Sequence, residues 1–221
     1  MRYFKFIFQA IVFVSINSAL AGSYEDFFQA AENNDAPALE RLLQRGFDAN
    51  TPGPKGQSAL LTAIRQNASQ AALVLARWPE TRVDARTEDD ETALMLAAFH
   101  NMLPVAQALI QRQADVNKPG WTPLHYAATK AHVPMMRFLL ENHAFIDAPS
   151  PNGTTPLMMA AHYGTPMATK MLLEEGADPR LKNHLGLSAF DFAQSGPNKA
   201  ETTSYLDVFL ASWNARYPVK P

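Results

Sequence analysis

The sequence predicts an all-α solenoid of about six helix-turn-helix units joined by short hairpin loops. Three observations predict it. First, a short apolar segment recurs: "QSALLTAIRQN" at 57–67, "ETALMLAAFHN" at 91–101, "TPLHYAA" at 122–128, "TTPLMMAAHYG" at 154–164 and a weaker "LSAFDFAQ" at 187–194. Its leading hydroxyls, Ser58, Thr92, Thr122, Thr155 and Ser188, are spaced 34, 30, 33 and 33 residues apart. Second, apolar pairs keep the same phase 17 and 18 residues later: Leu75-Ala76, Leu109-Ile110, Leu139-Leu140 and Leu172-Leu173. Third, nine residues after the hydroxyl stand Asn67, Asn101 and Gly164, with Asn34 in a divergent first copy. These types tolerate the left-handed backbone on which a helix can end, and Ala131 departs from the rule. A fixed period in this range means stacked units, none of which buries its apolar face alone.

The elements follow in order. Unit one (24–54) opens with "YEDFFQAAENN", placing Phe27 where later copies place Leu60, Leu94, Leu124 and Leu157, and its second helix carries Leu42-Leu43. Units two to five (55–88, 89–118, 119–151 and 152–184) each start a first helix at the hydroxyl, an N-cap residue. Pro37, Pro104 and Pro134 mark the start of the second helix, where a missing N–H is harmless. Alanine pairs (Ala97-Ala98, Ala127-Ala128, Ala160-Ala161) allow the first helices to pack closely, and the leucine pairs fill the outer core. Unit six (185–213) is imperfect, with Gly196-Pro197 at its turn, as expected for a cap that meets water on one side. Residues 214–221 read as a loose tail.

Two loops depart from the pattern. The 30-residue spacing removes three residues from "DVNKPGWTPL", so this finger should be short and bring Trp121 near the concave surface. The preceding finger, "DARTEDDE" (84–91), places Asp90 where other copies have glycine, which predicts a local change of shape.

Composition excludes several functions. The 221 residues are 47% hydrophobic and 18% charged, a globular balance, and the net charge of −2 offers no broad nucleic-acid surface. Cysteine is absent, which excludes disulfides, thiolate metal sites, thiol nucleophiles and a lipoprotein anchor. Residues 1–21 read as a signal peptide: Arg2 and Lys5, an apolar run from Phe6 to Ile16, then Ala19-Leu20-Ala21. That run falls short of the about 20 apolar residues a membrane span needs, so no stable membrane anchor is expected after cleavage following Ala21. Without Arg2 and Lys5 the 19 basic residues become 17 against 21 acidic ones, a mildly acidic exported chain. Export without disulfides suits a bacterial periplasm, with release into the medium as the alternative.

The segments "GWTPLHYAA" and "GTTPLMMAA", with the closing "GFDAN" (46–50), "QADVN" (113–117) and "GADPR" (176–180), resemble the ankyrin-repeat family. The resemblance spans about Tyr24 to Trp213. It implies a monomeric, non-catalytic module that binds another protein through its finger tips and the inner face of each first helix. On those phases the protein-binding residues are Lys55, Gln57, Arg65 and Gln66 in unit two, and Glu88, Asp89, Glu91, Phe99 and His100 about unit three. Lys118, Trp121, Thr129 and Lys130 follow from unit four, Asn152, Thr154, His162 and Tyr163 from unit five, and His184, Leu185 and Leu187 close the row. Phe99, Trp121 and Tyr163 are candidate interface anchors, packing between helices being the alternative for Phe99 and Tyr163. The acidic finger would steer a basic partner or be a solvated loop.

No catalytic motif stands against this reading: H-E-x-x-H, G-x-S-x-G and a P-loop are all absent. The six histidines fall at different phases. His100 and His162 share one most nearly, but two repeats part them by about 20 Å, too far for one zinc. No cofactor or metal is expected. His125 occupies a column held by Phe28, Leu61, Met95, Met158 and Asp191 in other copies, so it reads as structural, the family's local hydrogen bond steadying the turn. The resemblance also suggests a role protecting or assembling an oxidative-stress enzyme or neutralising a toxin. The alternatives are a secreted effector acting on a host protein, and an enzyme or metal-binding protein.

Overall fold

The computed structural model describes residues 22–216; the expected signal peptide at 1–21 and the last five residues, 217–221, lie outside them. Twelve α-helices form six pairs among the described residues: α1 (22–32) with α2 (Ala36–Gln44), α3 (Ala59–Arg65) with α4 (Ser69–Arg77), and α5 (Ala93–Phe99) with α6 (Leu103–Gln111). Then come α7 (Pro123–Thr129) with α8 (Val133–Glu141), α9 (Pro156–Tyr163) with α10 (Pro166–Glu174), and α11 (Ala189–Gln194) with α12 (Lys199–Arg216). The described residues contain no strand; single antiparallel bridges, Arg86 to Thr92 and Lys182 to Ser188, pinch two of the fingers.

The local chemistry explains why the first helices are short. Each begins at the hydroxyl: Ser58, Thr92, Thr155 and Ser188 accept the N–H three residues on at 3.3–3.4 Å. The residue at that third position returns the favour by accepting the N-cap N–H, through sulfur in Met95 and Met158 and through a carboxylate in Asp191. Each helix of units one to four then stops on a left-handed residue: Asn34, Asn67, Asn101 and Ala131 have φ between 55° and 60°. Ala131 therefore adopts the conformation although it lacks the side chain that favours it. Gly164 does not: its φ is −82°, and glycine serves there for closeness, since a Cβ would lie 2.7 Å from the Ala160 carbonyl and 2.8 Å from that of Ala128.

The first helices stack α5 on α7 on α9 on α11, and the second helices pack alongside, α2 on α4 on α6 and α10 on α12. Ala97, Ala98, Ala127, Ala128 and Ala160 are buried at the helix seams, while Leu75, Leu109, Leu139 and Leu172 are fully buried behind them. Each buried leucine contributes roughly 1.5–3 kcal/mol.

A second set of bonds runs along the loops. Asn50 donates to the Glu80 carbonyl and accepts the Arg82 N–H, both at 2.8 Å. One unit on, the Asp84 carboxylate accepts the Asp115 N–H at 3.0 Å. Asn117 then donates to the His143 carbonyl and accepts the Phe145 N–H, and Asp147 accepts the Asp178 N–H. Every rung ties one closing loop to the next.

Two expectations need correction. Asp90 takes φ +62°, left-handed and just below the 72° to 91° of the finger glycines Gly56, Gly120, Gly153 and Gly186, so the finger keeps its turn and gains only a charge. The final helix runs through Arg216, so residues 214–216 of the expected tail are helical.

Candidate functional site

Burial sorts the first helices into columns. Counting from the hydroxyl, positions one, two, three, five and six are buried in units two to five. Positions seven and eight (Arg65 and Gln66, Phe99 and His100, Thr129 and Lys130, His162 and Tyr163) are half-buried or exposed in every one of these units. Position four (Thr62, Leu96, Tyr126, Met159) borders them and is half-buried in all but Leu96. These columns form the inner face, and the fingers overhang it.

The structure joins two of the three expected aromatics. Phe99 and Trp121 meet around a hollow of about 240 Å³, completed by His125, Tyr126, Thr129 and Met159. Tyr126 stands edge-on to Phe99 at 6.1 Å, and Trp121 edge-on to His125 at 5.2 Å. The Lys130 ammonium lies 4.5 Å from the centre of the Phe99 ring. Tyr163 stands apart, 58% exposed and edge-on to His162, whose Nδ1 lies 3.1 Å from the Phe192 carbonyl. His100 flanks Phe99, and burial with nearby Lys130 and His132 holds its pKa below the usual histidine value.

Tyr126 and Met159 line the hollow although the repeat phase does not place them among the binding residues. Their signal is position four, which sequence alone leaves looking like more core: "TPLHYAA" gives no sign that its tyrosine borders the groove.

His125 forms the floor and is fully buried. Its Nε2 lies 2.9 Å from the Thr154 carbonyl, which can only accept, so Nε2 carries the proton. Nδ1 then accepts the Thr122 N–H at 3.2 Å and the Thr122 hydroxyl at 2.9 Å. Burial pushes the pKa of this imidazole down to about 4. A neutral ring with both nitrogens engaged is a clip between units four and five, with no lone pair left for a metal or a proton-transfer role.

The third finger carries the charge. Glu91 receives Arg65 at 2.7 Å and the Tyr126 hydroxyl at 3.0 Å. Burial first, and then the Glu91 and Asp89 carboxylates, raise the Tyr126 pKa, so its phenol stays protonated. Asp90 pairs with Lys118 and with Arg86, whose bonds, that of Lys118 first, hold its carboxyl below the usual range. Glu88 and Asp89 are exposed at the tip.

Other expected residues distribute unevenly. Lys118 and Thr154 are buried, Lys118 ion-paired with Asp90 and Thr154 bonded to His125, so neither offers itself to a partner. The truncated finger draws the lysine inward. Gln57 is half-buried and Gln66 exposed, while the Lys55 side chain lies outside the described part. Asn152, His184, Leu185 and Leu187 are exposed at the fifth and sixth fingers, where the His184 N–H donates to the Asn152 carbonyl at 2.9 Å and Leu185 is 79% exposed. Among the described residues no three His, Asp or Glu side chains gather as a metal site, and no helix is long and apolar enough to cross a membrane.

A family model described as "Ankyrin repeats (3 copies)" matches residues 27–119 and 113–183, more than half of the 221 residues. The chain is 30% identical over 194 residues to the tyrosine-protein kinase Shark of Drosophila melanogaster, covering 86% of this chain and 21% of that protein. It is 30% identical over 161 residues to the nuclear factor NF-kappa-B p105 subunit of Gallus gallus, covering 70% of this chain and 16% of the subunit. The chain thus spans about a fifth or less of these relatives. Among solved structures, an ankyrin repeat domain from Acinetobacter baumannii superposes with a TM-score of 0.71 at 24% identity, covering 83% of this chain and 96% of that domain. Domains of this kind are typically non-catalytic modules for binding proteins, and no catalytic domain is evident among the described residues. The matched span, the paired helices and the repeating caps together establish that the chain belongs to the ankyrin-repeat family.

Proposed function

We propose that this chain is exported and binds one partner protein along its inner face, in the periplasm, with no catalytic step of its own. The observation that carries the reading is the aromatic hollow of Phe99, Trp121 and Tyr126, half-buried on the inner face formed by positions four, seven and eight. Large aromatics half-exposed at the centre of a concave surface are the usual centres of binding energy, often at least about 2 kcal/mol each. The leader-like residues 1–21 support export, and the absence of cysteine is compatible with it. Protection or assembly of an oxidative-stress enzyme, or neutralisation of a toxin, are roles such a clamp would serve.

The test is affinity capture from the exported fraction with wild-type protein and with the Phe99→Ala/Trp121→Ala/Tyr163→Ala variant. A partner held by the wild type and lost by a variant that still melts cooperatively is the expected result. Retention of the partner by the variant refutes the concave site, and recovery of the protein in the cytoplasm alone refutes export.

A further inference from the structure

We infer that the hollow receives a single apolar side chain of a protein segment that carries lysine or arginine next to it, the cation lying against Glu88 and Asp89. This rests on the protein-binding reading and narrows it to a class of partner.

The first argument is chemical. Apart from the Trp121 indole N–H, the polar side-chain groups that border the hollow on its floor and walls are already spent within the protein. The Tyr126 hydroxyl donates to Glu91, the Thr129 hydroxyl donates to the His125 carbonyl at 2.8 Å, and both His125 nitrogens are engaged. A polar group entering here would lose water and find little in return, a penalty of about 1–3 kcal/mol. A hydrocarbon or aromatic group would only gain. At about 240 Å³ the hollow is also smaller than the roughly 300–1,000 Å³ of a typical small-molecule pocket. It fits one side chain better than a cofactor.

The second argument is electrostatic. The third finger has four acidic residues in a row, Glu88 to Glu91. Asp90 is neutralised by Arg86 and Lys118, and Glu91 by Arg65. Glu88 and Asp89 form no ion pair among the described residues. Glu91 of the same finger bonds the Tyr126 hydroxyl at 3.0 Å, which sets this acidic finger beside the hollow. On the other side the Lys130 ammonium sits over Phe99. The rim is therefore negative toward the finger and positive toward the helix. A basic neighbour of the inserted side chain is attracted to one edge and repelled from the other, which fixes the direction of the bound segment.

The shortened fourth finger leaves this approach open. Here three residues are missing from the finger, and its Trp121 forms a wall of the hollow.

A phage-displayed library of random nine-residue peptides, selected on the folded protein, tests the inference. Enriched peptides should carry Phe, Trp, Leu or Met within two residues of Lys or Arg. Their binding should fall about tenfold or more in Thr129→Phe, which fills the hollow, and in Glu88→Lys/Asp89→Lys, which alters only the exposed tip and keeps the fold. Selection on the charge-reversed variant should enrich Asp or Glu beside the same apolar residues. Enrichment without a neighbouring base, unchanged binding to the charge-reversed variant, or no enrichment at all overturns the inference. A captured partner that needs Phe99, Trp121 and Tyr163 but ignores Glu88→Lys/Asp89→Lys would sink this inference and leave the protein-binding reading standing.

Discussion

In unit four the residue three places into the first helix is His125; in unit six it is Asp191. Both accept the N–H of their own N-cap residue, at 3.2 Å and 2.7 Å. His125 is fully buried and spends its second nitrogen on the Thr154 carbonyl of the next unit. Asp191 is exposed and gives its carboxylate to Ser188 alone, by N–H and by hydroxyl. The second helices differ in the same sense. Nine-residue α8 buries Met135, Met136 and Leu139, whereas 18-residue α12 buries Thr202 and Leu206. Unit four uses its capping residue to hold its neighbour, while the last unit uses it only to start a helix. In a stack stabilised by its interfaces, that second bond adds a polar clip to the packing that joins the other interior units, whose Leu61, Met95 and Met158 are buried at the same place.

The contrast can be broken from either side. Leu139→Ala should cost about 2–5 kcal/mol in urea denaturation followed by circular dichroism, and the transition should stay single, because the cavity lies where two interfaces meet. A loss under about 0.5 kcal/mol would remove Leu139 from the core.

Acid should separate the two caps. Folding lowers the His125 pKa from 6.5 to about 4, so the unfolded chain binds the extra proton between those values. The contribution of the buried neutral ring is complete above pH 6.5, declines as pH falls, and is gone below about 4, an upper bound of about 3 kcal/mol. Asp191 responds in the same direction at lower pH: bonds from Ser188 hold its carboxyl below the usual 3.8, so its contribution is lost only under more acidic conditions. Hydrogen exchange on lowering the pH from 7 to 4.5 should therefore loosen the junction of units four and five while the Ser188 cap persists. His125→Gln should flatten the stability profile across that window.

Smaller effects sharpen the picture. Ala131→Gly should raise stability by about 0.5–1 kcal/mol in thermal melts, since alanine bears a left-handed backbone that glycine adopts freely. Val208→Ala on the 65% exposed side of α12 should stay within about 0.5 kcal/mol of wild type, and a larger loss would mean that the last helix is covered in solution.

The repeat was legible because several independent chemistries share one phase: a cap, an apolar row, a turn residue and a leucine pair. The helices and their pairing follow from that phase. The site was legible only in part, because exposure depends on what the next unit places above a residue. Lys118 has a surface phase, yet its loop is three residues short and its amine ends buried against Asp90. Tyr126 has the phase of a core border, yet it lies half-buried and lines the hollow beside Met159, the same position of the next unit. Residue type also misled at the turns. Alanine at 131 bends left-handed because the helix pair demands it, and glycine at 164 answers a crowding of carbonyls that no single sequence displays.

The loop rungs set a limit on growth. They run from Asn50 through Asp84 and Asn117 to Asp147, but in the next place stands Arg180, whose guanidinium turns back on Asp178 and stacks 5.7 Å over the Trp213 ring. Trp213 itself lies within helix α12, so among the described residues no loop follows Arg180's partner to receive a further rung. Lengthening the molecule by duplicating a unit would thus succeed between interior repeats and stall at this terminus, where arginine and tryptophan together act as the full stop of the array.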